Sequence, residues 1–300
     1  MIATETISEG GLWTYIERHR PSIELALELN LPLAPPEIET EFNEAVRYLI
    51  FPGGKRLRPV LTMLGAELTG GAAENVMHAA AAVEFIHTSS IIFDDLPCMD
   101  NSRERRGRLS LHEKFGEGLS TLVAIGFLNH SYRLVTFDGR GDAERSVEAV
   151  LEIVNCVGPA GMVGGQSVDL NIQRAECRIC AVRETRQVQN LKTSSLIRLC
   201  LSLGAILSGA DAENISHLSR FADHLGHAYQ LSDDIIDVER DASANGGVDS
   251  KNVNCELNSL QAELKVAAER SKAIIMDNFT PCEARTCLFQ LVDYVATRKD

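Results

Sequence analysis

Gln230, Asp233, Asp234 and Asp237 recur at i, i+3, i+4 and i+7 within "YQLSDDIIDVERD", so a regular helix lays one amide and three carboxylates along a single stripe. Such a stripe repels itself. Its companions Leu225, Leu231, Ile235 and Val238 are apolar, which sets the acidic face beside buried surface rather than on a fully charged helix. A second acidic wall lies about 140 residues earlier, in "EFIHTSSIIFDDLPCMDNSRERRG" from Glu84 to Gly107. On a helix Glu84, His87, Ile91, Asp94 and Asp95 share one face, with two adjacent carboxylates at its end. Like charges that close raise each other's pKa unless a cation compensates, and hard carboxylate oxygens suit Mg²⁺. Pro97 cannot continue a regular helix, and a distortion over Leu96 to Met99 is what returns Asp100 toward the same metal. Arg105 and Arg106 follow, with fork-shaped donors that match phosphate oxygens. The plainer reading of any one of these residues is a helix end with solvated charges.

The rest of the chain fits helices around those two walls. Of 300 residues 45% are hydrophobic but only 5% aromatic, and alternating runs of Val, Ile, Thr and Tyr are scarce, so an all-α fold is expected. A loose tail over residues 1–8 and a single domain over 9–300 follow, with a mobile Gly- and Asn-rich loop at about 242–256. The net charge of −13 opposes attraction to nucleic acid or to anionic membranes. The segment "LCLSLGAILSG" falls short of the ~18 apolar residues of a membrane span, which predicts a soluble chain. The eight cysteines are expected as reduced core thiols in a cytoplasmic compartment. Cys177 and Cys180 form one C-x-x-C without the second pair a zinc site needs. Arg140-Gly141-Asp142 is expected to be a polar helix connection.

Taken in order, residues 12–30 and 37–51 predict amphipathic helices, the second entered through Pro35 and Pro36. In "FPGGKRLRP" two glycines precede Lys55, Arg56 and Arg58, a loop that suits a diphosphate or is merely a turn before a basic helix start. Helices are expected over 72–95 and 109–137, and again from Asp142 into "GMVGGQSVDL". Gly161, Gly164 and Gly165 there imply close packing or close ligand approach. Gln166 and Asp169 face either a polar cavity or solvent, and Lys192 with Thr193 decides nothing alone. Thr280-Pro281-Cys282-Glu283 reads as a capping box opening a last helix with Ala284, Leu288, Leu291, Val292 and Val295 on its core face.

In the order and spacing of "GGKRLRP", "HTSSIIFDDLPCMDN", "RRG", "GMVGGQ", "LKTSSL", "YQLSDDIIDV" and "LVDYVATRK", the chain resembles the trans-isoprenyl diphosphate synthases over nearly its whole length. That group contains the geranylgeranyl and farnesyl diphosphate synthases. The resemblance implies a helical bundle around a deep central cavity, a homodimer, and an Mg²⁺-dependent prenyltransferase of isoprenoid biosynthesis. Its substrates would be isopentenyl diphosphate and an allylic diphosphate (dimethylallyl, geranyl or farnesyl). By the same resemblance Asp94, Asp95, Asp100, Asp233, Asp234 and Asp237 hold Mg²⁺. Arg105, Lys192, Thr193, Gln230 and Lys251 contact the allylic diphosphate, and Lys55, Arg58, His87 and Arg106 bind isopentenyl diphosphate. Asp94, Asp95, Asp233, Asp234 and Lys192 are the catalytic group, since cations stabilise the departing diphosphate while apolar walls keep water from the allylic carbocation.

Product length is implied by the residues below the first aspartates. Ser89 and Ser90 leave the passage open, whereas Phe85 and Ile86, a turn further down, are large enough to close it near twenty carbons. Geranylgeranyl diphosphate is the expected product. The alternative is that both serines only bond backbone carbonyls.

The chain also departs from the family pattern. Phe93 stands where a His precedes the aspartate pair, and Ser102 and Arg103 stand where acidic residues follow it. The segment Gly246 to Asn252 replaces a loop that approximates G-K-T-x-G-K-D. That loop motivates an alternative, a weakly catalytic or regulatory subunit of a heteromeric synthase. A farnesyl diphosphate synthase is a second alternative. A terpene cyclase is a third, opposed by the cations for a second diphosphate.

Overall fold

The computed structural model describes residues 11–38, 41–137, 142–174, 178–244 and 250–298, with side chains except within 171–190 and 243–254. The helices run in chain order as α1 (Leu12–Leu29), α2 (Phe42–Ile50), α3 (Leu57–Leu68), a 3₁₀ turn (Ala73–Val76), α4 (Met77–Asp95), α5 (Leu111–Phe115) and α6 (Glu117–Phe137). They continue as α7 (Ala143–Val157), α8 (Met162–Arg174), α9 (Arg178–Leu207), α10 (Ala212–Ala244), α11 (Ser250–Asn278) and α12 (Glu283–Thr297). The fold is all-α apart from a two-residue ladder, β1 (Glu104–Arg105) with β2 (Arg108–Leu109). Arg106 and Gly107 between them hold φ of 56° and 72°, the positive values that a two-residue hairpin turn demands.

Helix α4 is central. Ala79, Ala80, Ala81 and Ala82 are all buried, and side chains that small let it pack against α6 on one side and α3 and α9 on the other. Helices α3 and α9 touch backbone to backbone, because a Cβ on Gly65 would meet the Leu201 carbonyl at 2.3 Å and one on Gly204 the Thr62 carbonyl at 1.9 Å. Helix α10 then lies across α9, and α12 closes against α10, α11 and α3. The C-terminal end of α4 and the middle of α10 thus line one interior, with a single apolar core running from Leu12 to Val295.

Several boundaries differ from expectation. Helix α2 begins at Phe42, so the proline pair lies in the preceding turn rather than at the helix entrance. The segment 109–137 divides at Gly116, whose φ of 82° ends α5. The cap of α12 is Cys282, whose Sγ accepts from the Arg285 amide at 3.4 Å, not Thr280. The loop expected over 242–256 overlaps two helices, for α10 continues to Ala244 and α11 starts at Ser250. Residues 245–249, the tail 1–8, Arg140, Gly141 and Cys177 lie outside the described residues, as does the Cys180 side chain.

Two stretches, Ala73–Asp95 and Ala143–Leu170, have the length and apolarity of a membrane-crossing helix, longer than the run singled out from the sequence. The first is α4 with its 3₁₀ turn, whose apolar residues fill the core. The second is interrupted between Val157 and Met162, where α7 ends and the chain turns into α8.

Candidate active site

The expected break at Pro97 sits at the end of α4. Leu96 caps the helix, and the chain doubles back so that the Asp100 amide donates to the Asp94 carbonyl at 2.9 Å and the Ser102 amide to that of Asp95 at 3.2 Å. Asp100 is thereby returned above Asp94, near enough for its charge to push the Asp94 carboxyl upward.

The adjacent pair does not act as one unit. Asp95 is only 2% exposed and is gripped by Arg105, whose Nε donates at 3.1 Å and whose Nη2 donates as well. Asp94 opens to the interior and accepts from Lys192 Nζ at 2.8 Å, while the same ammonium donates to Gln166 Oε1 at 2.5 Å. A polar bar of α4, α9 and α8 residues therefore crosses the site. Burial raises the Asp94 carboxyl, with Lys192 opposing that rise. Burial also raises Asp169, again opposed by Lys192 and reinforced by Asp100 and Asp94, so Asp169 belongs to the same acidic group.

On α10 the stripe forms as the periodicity requires. Gln230 Nε2 donates to Asp234 Oδ1 at 3.1 Å, and Asp237 is exposed beside Arg240. Asp233 is held by Arg298, a residue the sequence did not single out. The Arg298 guanidinium lies 3.8 Å from the Tyr229 ring centroid, donates to Ser232 Oγ at 2.9 Å and the Tyr229 carbonyl at 3.1 Å, and pairs with Asp233. Burial pushes the Asp233 carboxyl up, Arg298 opposes, and Asp237 and Asp234 add to the rise. One signal was available: Arg298 follows Leu291 and Val295 at the i, i+4, i+7 spacing, although it is the extended C-cap of α12 rather than part of the helix.

Among the described residues three cavities adjoin these walls. One of about 190 Å³ is lined by Arg58, His87, Asp94, Lys192, Thr193 and Tyr229 among apolar residues. A smaller one of about 50 Å³ on the other side of His87 is lined by Arg105, Arg106 and Arg108. Burial first, then Arg58, Arg106 and Arg105, hold His87 well below the ordinary histidine range, so the imidazole is neutral at neutral pH. Burial also lowers the Arg106 guanidinium, with Glu84 opposing and Arg58 adding. Lys55 lies further out, donating to Tyr294 Oη at 2.8 Å and facing the Trp13 and Tyr294 rings.

Arg56 is not among these cations. It is 3% exposed, donates to Glu24, to Glu84 at 2.8 Å and to the Ile50 carbonyl at 2.8 Å, and has φ of 55°. In "GGKRLRP" it is the residue that pins the loop to α1 and α4.

The third cavity, about 350 Å³ and mostly apolar, runs beneath the polar bar past Ile86, Ser89, Ser90, Leu128, Met162 and Leu170. Ser89 Oγ donates to the Ala124 carbonyl at 2.9 Å and Ser90 Oγ to that of His87 at 2.8 Å, so both serines line the cavity while bonded to backbone. Phe85 corrects the reading of the floor. It is fully buried against Phe127, with ring centroids 5.2 Å apart, and Ile86 is what faces the cavity. The Lys251 side chain lies outside the described residues.

Among the described residues no three carboxylate, imidazole or thiol groups converge on one point. The two acidic walls thus offer oxygen donors singly or in pairs.

Comparison with known proteins agrees with this geometry. The family model described as "Polyprenyl synthetase" matches residues 39–290. Geranylgeranyl pyrophosphate synthase 3, chloroplastic, of Arabidopsis thaliana is 34% identical over 296 residues, covering 95% of this chain and 81% of that protein. A dimethylallyltranstransferase of Fischerella ambigua is 32% identical over 291 residues, covering 95% of this chain and 83% of that protein. Among solved structures, an FPP/GFPP synthase from Zymomonas mobilis superposes with a TM-score of 0.82 at 26% identity, covering 95% of this chain and 99% of its own.

Proposed function

The chain belongs to the polyprenyl synthetase family and is a trans-prenyltransferase, and from that premise we propose that it condenses isopentenyl diphosphate with an allylic diphosphate to give mainly geranylgeranyl diphosphate. The observation that carries this is the apolar cavity of about 350 Å³ lying directly beneath the Asp94, Lys192 and Gln166 bar. A charged head held at the bar would have an apolar space directly below it for a hydrocarbon tail.

Asp94, Asp95 and Asp100 on one wall and Asp233, Asp234 and Asp237 on the other would hold Mg²⁺. The donor set fits: all are hard oxygens, and donors that come singly or in pairs leave coordination positions for water and substrate phosphate, as Mg²⁺ prefers. The upward push on the Asp94 and Asp233 carboxyls is relieved by any added cation. When bound, Mg²⁺ supplies charge neutralisation for the departing diphosphate.

The remaining roles belong to the chain's own residues. Arg105, Lys192, Thr193, Gln230 and Lys251 serve the allylic diphosphate. Lys55, Arg58, Arg106 and a neutral, donating His87 serve isopentenyl diphosphate, with His87 between the small cavity that Arg106 lines and the larger one that Arg58 lines. The apolar lining excludes water that would otherwise capture the carbocation, and Ser89 and Ser90 keep the passage wide enough for a tail beyond fifteen carbons.

Residues 9–300 act as one unit in this reading. A homodimer is proposed as well, because Leu122 and Ile125 on α6 and Val147, Leu151 and Val154 on α7 are all exposed, an apolar face suited to a second copy. The plastid names of relatives widen the expected compartment from the cytoplasm to the cytosol or a plastid.

The test is to incubate purified protein with Mg²⁺, isopentenyl diphosphate and each allylic primer, then identify the alcohols after dephosphorylation. The twenty-carbon alcohol is expected. A fifteen-carbon end product would favour the farnesyl diphosphate synthase reading, and no product from any primer the regulatory-subunit reading.

A further inference from the structure

The two larger cavities of the site meet at a shared wall. Ser90, Asp94, Lys192 and Met162 line both. Three of these are tied down by polar contacts: Ser90 to the His87 carbonyl, and Asp94 and Lys192 to each other. Met162 is the only apolar member of the four, and it is 6% exposed.

The backbone beneath Met162 is fixed. It is the first residue of α8, and the turn before it presses on the end of α7. A Cβ on Gly161 would lie 2.0 Å from the Cys156 carbonyl, and one on Gly164 would lie 1.9 Å from the Pro159 carbonyl. Both glycines thus mark close backbone packing around the start of α8. A methionine side chain can repack at little cost, because it has three rotatable bonds and no branch. Ser90, which lines the same two cavities, is small, so the methionine rotamer would set the width of any opening between them.

We infer that Met162 is a specificity-determining gate between the two cavities, which sets how far a prenyl tail anchored at the upper cavity reaches into the lower one. The inference rests on the prenyl-elongation reading and adds to it a residue outside the stretch that precedes the first aspartates. A short tail fits above the gate. A longer one requires the thioether to swing aside, so the gate acts on successive additions rather than on the first.

The experiment compares wild type with Met162→Ala, Met162→Phe and Met162→Leu, each given Mg²⁺, isopentenyl diphosphate and dimethylallyl diphosphate, with the product alcohols resolved by length. Discrimination by one or a few methylene groups in an apolar site runs at about 10- to 200-fold. Met162→Ala is therefore expected to raise the ratio of longer to wild-type product by about tenfold. Met162→Phe is expected to lower it by about as much, with fifteen-carbon or shorter product accumulating, and Met162→Leu should resemble wild type. The KM for farnesyl diphosphate as primer should rise in Met162→Phe while that for dimethylallyl diphosphate stays close to wild type. A purely structural role would instead lower rate or melting temperature in Ala and Phe variants alike and leave the product lengths unmoved. That result, with an elongating wild type, overturns the inference alone; a wild type that elongates nothing overturns the prenyl-elongation reading and the inference with it. Should Met162→Phe fail to fold, the Ala variant decides by itself: longer product upholds the gate and an unchanged distribution removes it.

Discussion

Replacing Arg56 by leucine tests whether the loop "GGKRLRP" is held by a buried ionic tie or is a substrate contact throughout. The Arg56 side chain is 2% exposed and that of Glu84 is 6%, with 2.8 Å between them. Glu24 takes the other edge of the guanidinium at 2.8 and 2.9 Å. Leucine leaves Glu84 buried without a cation, and Glu84 Oε2 already has no hydrogen-bond partner. Removing one partner of a buried pair costs about 3–5 kcal/mol. At about 2 °C per kcal/mol for a chain of this size, the melting temperature should fall by about 6–10 °C. The double variant Arg56→Leu/Glu84→Leu should recover part of that loss, because an apolar pair of similar volume removes the stranded charge. Differential scanning calorimetry measures both, alongside kcat/KM at a temperature where each variant is folded. Activity per folded molecule should stay within about threefold of wild type. An unchanged melting temperature together with a collapse in activity would refute the structural role and place Arg56 on a diphosphate.

Asp94→Ala or Asp233→Ala should each lower turnover by at least ~10²-fold in steady-state assays, because each removes an oxygen donor where leaving-group charge develops. Arg298→Met should lower stability in a urea melt by about 1–3 kcal/mol, since it removes three hydrogen bonds and one face of the Tyr229 stack. His87 is held below its unfolded value of about 6.5, so the unfolded chain takes up the proton first. Its contribution to stability is complete above pH of about 6.5 and is lost as pH falls from there toward its lowered folded value. Melting temperature against pH should therefore be flatter over that range in His87→Gln than in wild type. Ser89→Phe should shorten the product to farnesyl diphosphate or less, read from the dephosphorylated alcohols, and an unchanged distribution would show that this wall does not set length.

The parts of the site that could be read from the sequence are those that follow from helical period. Gln230, Asp233, Asp234 and Asp237 fall on one stripe because 3.6 residues per turn leaves them nowhere else to go, and Pro97 had to end α4 because it cannot donate to the preceding turn. What could not be read depends on partners distant in sequence. Asp94 and Asp95 look equivalent in "FDDLP", yet one opens to the cavity and the other is buried on Arg105. Phe85 and Ile86 are adjacent and both large, and only a knowledge of where α6 lies tells which packs on Phe127 and which faces the cavity. Arg56 and Arg58 share a loop and a charge. Only the position of Glu84, 28 residues on, separates a structural guanidinium from one that reaches the cavity.

The charge argument that first pointed to a metal is altered by the same long-range partners. A self-repelling acidic wall needs compensation, and a divalent cation was the simplest source that the local sequence offered. The fold supplies three others: Lys192 on Asp94, Arg105 on Asp95 and Arg298 on Asp233. Each comes from a different element than the aspartate it neutralises, so the walls can assemble during folding without waiting for a ligand. Repulsion among the aspartates is therefore met in part without a metal, though Asp94 and Asp233 stay pushed upward, and the proposal of Mg²⁺ leans as much on the hard oxygen donors. A consequence follows for the approach of a metal. Lys192 already donates to both Asp94 and Gln166, and its three donors can turn toward an incoming diphosphate without leaving the site. The Asp233 carboxylate, by contrast, is tied to a guanidinium stacked on Tyr229 and bonded to two further oxygens. That tie holds the carboxylate in one place, so a metal arriving at the α10 wall meets a positioned oxygen rather than one it must first order.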